Sequence, residues 1–144
     1  MEKDQKLDAV LFFIIEKVHK AARRHSQEEF YKAGYDITLD QWLVLKKIYD
    51  ADKINQNELA EALFKDKASI TRILNLLLTK KLVKKTEDTD KRAFNLSLTP
   101  TGKQFYADLL IIVNKLRKQY TESISGAEQA ELKKLLSKIL DNIK

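Results

Sequence analysis

Between Asp66 and Glu87 the chain carries no acidic residue. Within that interval Lys67, Ala68, Ser69, Thr71, Arg72 and Asn75 stand at spacings that a helix gathers together. At about 100° per residue, Ala68, Thr71, Arg72 and Asn75 share one face, with Ser69 at its side. The opposite face is Ile70, Ile73, Leu74 and Leu77. A face that merely meets water is usually rich in Glu and Lys. Small residues, hydroxyls, one Arg and one Asn instead suit close approach to base edges. Arg bonds guanine in bidentate fashion, Asn bonds adenine, and Ala or Thr methyls touch the thymine methyl. The surrounding charge points the same way. From Lys53 to Lys103 there are eleven Lys/Arg and six Asp/Glu, a surplus of five, against +6 for all 144 residues. Such a surplus on one segment implies a polyanion partner; the competing reading is a soluble protein that happens to be basic. Lys67, Lys80, Lys84, Lys85 and Lys91 are the candidates for phosphate contact.

Other chemistries are poorly supplied. There is no cysteine, which removes disulfides, thiol nucleophiles, thiolate zinc sites and thiol redox sensing. His19 and His25, the two histidines, lie six residues apart and do not share a helical face well, so no metal site is expected. No phosphate-binding glycine loop and no carboxylate pair in a plausible cleft can be found, so neither an enzyme nor a cofactor is expected. The longest apolar runs, Val10–Ile15 and Leu109–Val113, are too short to span a bilayer. The opening residues MEKDQK lack a signal-peptide core, and the expected location is the cytoplasm.

The elements that would position the polar face can be read next. One Pro and three Gly argue against long loops and many-stranded sheets. Asn55-Gln56-Asn57-Glu58 reads as a capping box, with Ile54 and Leu59 as a hydrophobic staple, opening a short helix to about Leu63. Phe64-Lys65 makes a turn and Asp66 caps the helix that bears the polar face. Leu82 to Glu87 and Ala93 to Thr99 are strand candidates; the second alternates Phe94, Leu96, Leu98 against Asn95, Ser97, Thr99. Between them Asp88 to Arg92 forms a charged tip, either a solvated hairpin loop or an arginine able to enter a narrow minor groove. Helix, turn, helix and hairpin in that order make a winged helix-turn-helix. The fold class expected is mainly α with a small β-hairpin wing, flanked by N- and C-terminal dimerisation helices.

Outside that segment the sequence reads as helix. Residues 4 to 31 repeat Leu7, Val10, Leu11, Ile14, Val18, Ala21 and Ala22 at helical spacing. Phe12, Phe13 and Ile15 widen the arc, either to meet a second subunit or to close over the same core. Thr38 to Gln41 is a capping box for a helix to about Asp50 that buries Leu39, Trp42, Leu43 and Ile48. Trp42 either lines a pocket or, as is commoner for a single Trp at such spacing, is core. Thr99-Pro100 reads as N-cap and N1 of a long helix lined by Phe105, Leu109, Ile112, Val113, Leu116 and Tyr120. Ser125 to Glu128 caps a last helix carrying Leu132, Leu135, Leu136, Ile139, Leu140 and Ile143. The terminal helices hold more apolar surface than a small reading module covers, and pairing two copies would bury it. The length predicts one domain, 1–144, with the winged module at about 38–100 and dimerisation helices at about 4–33 and 100–144.

The order NELAEAL, ASITRILNLLLTKKLV and EDTDKRAFNLSLTPTG resembles the MarR (multiple antibiotic resistance regulator) family of bacterial transcription factors. The resemblance extends to both terminal helical regions and so to nearly the whole chain. Its most specific part is the wing pattern Asp-x-Asp-basic-Arg followed by Leu-x-Leu-Thr-x-x-Gly. It implies a homodimer that grips adjacent major grooves of an inverted-repeat operator. It also implies a repressor, less often an activator, released by a small aromatic or phenolic molecule. By position, Ser69, Thr71 and Arg72 match the base- and phosphate-contacting part of the recognition helix. Arg92, beside Lys91, matches the wing-tip arginine, and Asp90 the aspartate that holds it. The family's cleft lies between the dimerisation helices and the winged module; Phe13, His19, Tyr31, Trp42 and Tyr106 are its candidate lining here. Three departures stand out: Lys81 replaces the usual Gly before the first wing strand, Thr89 replaces the wing proline, and the thiol of redox-sensing members is missing. A winged-helix adaptor for another protein, without sequence-specific DNA binding, is the alternative function; winged helices serve both roles.

Overall fold

A computed structural model of the chain describes residues 1–87 and 94–144. Among them are six α-helices, one 3-10 turn and one two-stranded antiparallel sheet. The chain gathers into two compact units, Met1–Ile112 and Val113–Lys144.

The first unit begins with a 3-10 turn at Leu7–Ala9, and helix α1 runs from Leu11 to Lys32. Helical spacing predicts continuous helix from residue 4, but Val10 is extended (φ −74°, ψ 123°) and separates the two. Much of the apolar stripe is uncovered in the lone chain. Leu11 and Val18 are 54% and 64% exposed, and the only α1 side chain fully buried in the lone chain is Phe30. Periodicity identifies an apolar stripe but not what covers it. The helix closes with Gly34 in the left-handed region (φ 88°): Gly34 N–H donates to Tyr31 O and Tyr35 N–H to Phe30 O, the two bonds of a Schellman motif.

Helix α2, Leu39–Asp50, starts on the Thr38–Gln41 capping box, with both reciprocal bonds at 3.1 Å. It buries Trp42, Val44, Leu45 and Ile48, while Leu39 and Leu43 are half-buried; Val44 and Leu45 were not expected in the core. Side chains of α1 hold its start. Gln27 donates to Ile37 O at 2.8 Å and accepts from Leu39 N–H at 2.9 Å. Arg23 reaches Asp40 at 2.7 Å, and Lys65 reaches the other carboxylate oxygen at 3.3 Å. Burial alone would raise the Asp40 pKa, but the two cations together hold it below the usual value.

Helices α3, Gln56–Ala62, and α4, Lys67–Thr79, follow. The Asn55–Glu58 capping box is formed, and the staple residues Ile54 and Leu59 are both buried. The turn between the helices places Phe64 at φ 54° and leaves it 90% exposed, with Lys65 N–H bonded to Ala60 O. Asp66 then accepts from Ser69 N–H at 2.6 Å and caps α4. On the inner face of α4, Ile70, Leu74 and Leu77 are all but inaccessible. Complete burial of each such side chain stabilises by about 1.5–3 kcal/mol.

The hairpin pairs β1, Val83–Glu87, with β2, Phe94–Leu98, from Val83 opposite Leu98 to Glu87 opposite Phe94. Leu96 and Leu98 are buried, whereas Phe94 on the same side is half exposed with the Lys85 ammonium 5.6 Å from its ring centroid. An isolated antiparallel bridge joins Asn55 to Asn95, and Leu96 N–H donates to Ile54 O at 2.9 Å. The wing is thereby fastened to the start of α3. Lys81, just before β1, takes φ 61°, so the strain that a glycine would avoid is accepted there, at a cost of about 1 kcal/mol.

Helix α5, Pro100–Tyr120, contributes to both units. Thr99 caps it by accepting from Gly102 N–H at 2.9 Å, and its own hydroxyl donates to Lys81 O at 2.6 Å. Gly102 sits so close to β1's entry that a Cβ there would lie 1.9 Å from Leu82 O. In the second unit α6, Gly126–Ile143, begins on the Ser125–Glu128 capping box. It buries no residue fully, and its apolar positions Leu132, Leu135, Leu136, Leu140 and Ile143 are all exposed in the lone chain. No helix among the described residues is long and apolar enough to cross a membrane.

Candidate nucleic-acid interface

The outward face of α4 is built as its spacing predicts. Lys67, Ala68, Thr71, Arg72 and Asn75 are exposed and Ser69 is half-buried. The inner face of the same helix is packed, so these side chains stand on a rigid base. Arg72 donates to Ser69 Oγ at 3.2 Å, one turn away. The bond from Ser69 N–H, together with its hydroxyl, holds the Asp66 carboxyl below the usual carboxylate range. This keeps an acceptor ionised at the helix start, on the side chain that also closes the turn.

Two interactions add to the face what periodicity does not reveal. Gln56, the first residue of α3, donates from Nε2 to Thr71 Oγ1 at 2.5 Å. Thr71 in turn donates its hydroxyl proton to Lys67 O at 2.8 Å. Gln56 was missed because it lies fifteen residues from its partner and served only as the interior of a capping signature.

Among the phosphate candidates, Lys67, Lys80, Lys84 and Lys85 are exposed. Lys80 Nζ donates to Asp36 O at 2.8 Å, which leaves two of its three donors. Lys84 and Lys85 lie along β1. Asp90, Lys91 and Arg92 fall outside the described residues.

The proposed cleft residues separate into two groups. Trp42 and Tyr106 are buried and stacked at 6.4 Å between centroids, and Tyr49, not anticipated, stacks on Tyr106 at 4.3 Å. Phe13, His19 and Tyr31 all stand on α1, Phe13 half-buried and the others exposed. Among the described residues no cluster of three or more His, Cys, Asp or Glu is placed to hold a metal.

A helix-turn-helix with an acid-free outward face, backed by a two-stranded wing, defines a winged-helix nucleic-acid-binding protein. Comparison with known proteins makes the class specific. A family model described as MarR family matches residues 35–93. The HTH-type transcriptional regulator SarZ of Staphylococcus aureus strain MRSA252 is 32% identical over 117 residues, covering 78% of this chain and 78% of the relative. A crystal structure of a mutant MarR from E. coli complexed with operator DNA is 28% identical. It covers 96% of this chain and 99% of that one, with a TM-score of 0.81. The S. aureus MepR–DNA complex shares the fold at 21% identity and TM-score 0.83, covering 95% of this chain and 99% of that one. The chain belongs to the MarR family of DNA-binding transcriptional regulators, whose members are not enzymes.

Proposed function

We propose that the protein works in the cytoplasm as a homodimer that occupies an inverted-repeat operator, represses from it, and leaves it when a small aromatic molecule binds. The observation that carries this reading is the outward face of α4. It is exposed, free of acid and built from Ala68, Thr71, Arg72 and Asn75, while the opposite face is locked into the core. Two such helices, held about 34–36 Å apart, read half-sites one helical turn apart. Pairing through α1 and α6 is supported by their uncovered apolar positions, and the operator partner by the DNA carried in the E. coli MarR complex. Lys67, Lys80, Lys84, Lys85 and Lys91 are the proposed phosphate ligands, and Arg92, together with Asp90, the proposed minor-groove contact.

Release needs a ligand with higher affinity for a DNA-incompetent arrangement than for the competent one. The Trp42–Tyr106–Tyr49 stack is the nearest optical reporter, with Phe13, His19 and Tyr31 as further cleft candidates. A phenolic acid that binds in this cleft changes Trp42 fluorescence and operator affinity together. If titration with phenolic acids leaves both unchanged, the ligand part of the proposal is withdrawn.

The test of the whole is a binding selection from random duplex DNA, followed by titration of the winning site at several salt concentrations. An enriched inverted repeat with a steep log–log salt slope is the expected result. Weak, sequence-blind binding would instead favour an adaptor role for the winged module.

A further inference from the structure

We propose that Gln56 and Thr71 act as one reading unit for an A·T pair in the major groove, with Gln56 a specificity-determining residue contributed by α3 rather than by the recognition helix. The proposal rests on the assignment of the α4 outward face to base reading.

The hydrogen bonds fix the chemistry of both side chains. Lys67 O can only accept, so the single proton of the Thr71 hydroxyl goes to it. The Gln56 contact to Thr71 Oγ1 must therefore be a donation from the amide nitrogen, which settles the orientation of that amide. With its proton committed and one lone pair occupied, Thr71 has nothing to donate to N7, O6 or O4 of a base. What this exposed residue has left to offer a base is a methyl and one lone pair, and a methyl is the complement of the thymine C5-methyl.

Gln56 is left with the opposite capacity. Among the described residues its second amide hydrogen and its Oε1 have no partner. A donor and an acceptor on one planar group match the N7 acceptor and N6 donor of adenine, the bidentate pairing open to Gln. Its backbone is anchored from three directions. The Asn55–Glu58 capping box sets the helix start, the Ile54–Leu59 staple is buried beneath it, and the Asn55–Asn95 bridge fastens it to β2. A long polar side chain held at its root and again at its amide loses less freedom on binding than one waving from the surface. Arg72 follows Thr71 in sequence and is tied to Ser69 instead, so it shares no hydrogen bond with the Gln56–Thr71 unit.

The experiment measures affinities of the full-length wild type, Gln56→Ala, Thr71→Val and Arg72→Ala for the selected operator and for all single-base changes in one half-site, at fixed salt. Circular dichroism and thermal unfolding establish that each variant is folded. The wild type is expected to prefer adenine at one position by on the order of tenfold or more. Gln56→Ala should abolish that preference and leave the Arg72 position intact. Thr71→Val, which keeps a methyl and removes the hydroxyl that holds the amide, should weaken the same position, and its effect should not add to that of Gln56→Ala. A uniform loss across all sequences in Gln56→Ala would make Gln56 a phosphate ligand and overturn the inference; so would no loss at all. In both cases a base-specific loss in Arg72→Ala would leave the α4 reading standing. A wild type with no base preference overturns both.

Discussion

Helices α4 and α6 are both amphipathic, yet they meet opposite fates within one chain. In α4 the apolar side is consumed by the chain's own core: Ile70, Leu74 and Leu77 are sealed, and the polar side is left free to do chemistry. In α6 nothing is sealed; Leu132 is 52% exposed and Ile143 70%. The same signal in the sequence thus marks two different things. Where the apolar stripe is satisfied internally, the informative residues are the polar ones opposite it. Where it is not, the apolar side chains themselves are what a partner would have to cover.

Substitutions can break the comparison from either side. Leu74→Ala should cost about 2–5 kcal/mol of folding stability, because the cavity lies in a packed core, and the loss should be the same at every protein concentration. A concentration-dependent loss in urea melts would mean that α4, like α6, is completed by a second copy. Leu132→Asp combined with Leu136→Asp should do the reverse. It should leave the winged unit folded, shift sedimentation toward the monomer, and reduce operator affinity by roughly a hundredfold as the two reading heads lose their tether. An unchanged sedimentation coefficient would remove α6 from the dimer interface.

Lys81→Gly is a smaller change and acts on the wing side alone. Relieving φ 61° should raise stability by up to about 1 kcal/mol, less the greater freedom that glycine gives the unfolded chain. A fall in the melting temperature would show that Lys81 contributes an interaction larger than the strain. The smallest effect concerns a device that both helices share. The Asp66 carboxyl at α4 is held low by the Ser69 N–H, and that of Glu128 at α6 by the Ser125 N–H. Both folded values lie below the ordinary ones, so each contribution is complete above about 3.8 for Asp66 and 4.5 for Glu128. It is lost as pH falls through the lowered folded-state value. Carboxyl carbon shifts followed by NMR through acid should place both midpoints below those ordinary values; a midpoint at or above them would mean the cap is absent in solution.

What could be read in advance was what is local. The capping boxes at Thr38, Asn55 and Ser125, the Asp66 cap and the two faces of α4 depend on residues three or four apart, and all form as their spacing predicts. The stripe of α1 is equally periodic, but whether Leu11 and Val18 meet their own chain or another depends on tertiary placement, which no period encodes. Val44 and Leu45 lie off the single stripe that periodicity marks, because α2 is enclosed on more than one side, by α1, α3, α4 and β2. The left-handed Phe64 had no local sign, since glycine or asparagine is the residue usually found there. The partnership of Gln56 with Thr71 had none either, being made across the turn between two helices.

Gly102 illustrates how misleading a genetic map of such a protein can be. Suppose every position were randomised and the survivors scored by operator occupancy. All other residue types bring a Cβ, and at this site a Cβ falls on the Leu82 carbonyl oxygen. Gly102 would therefore tolerate as little variation as Arg72, and by that measure would be scored as a reader of DNA. Its intolerance would come instead from a seam between a helix and a strand, where the only side chain that fits is a hydrogen atom.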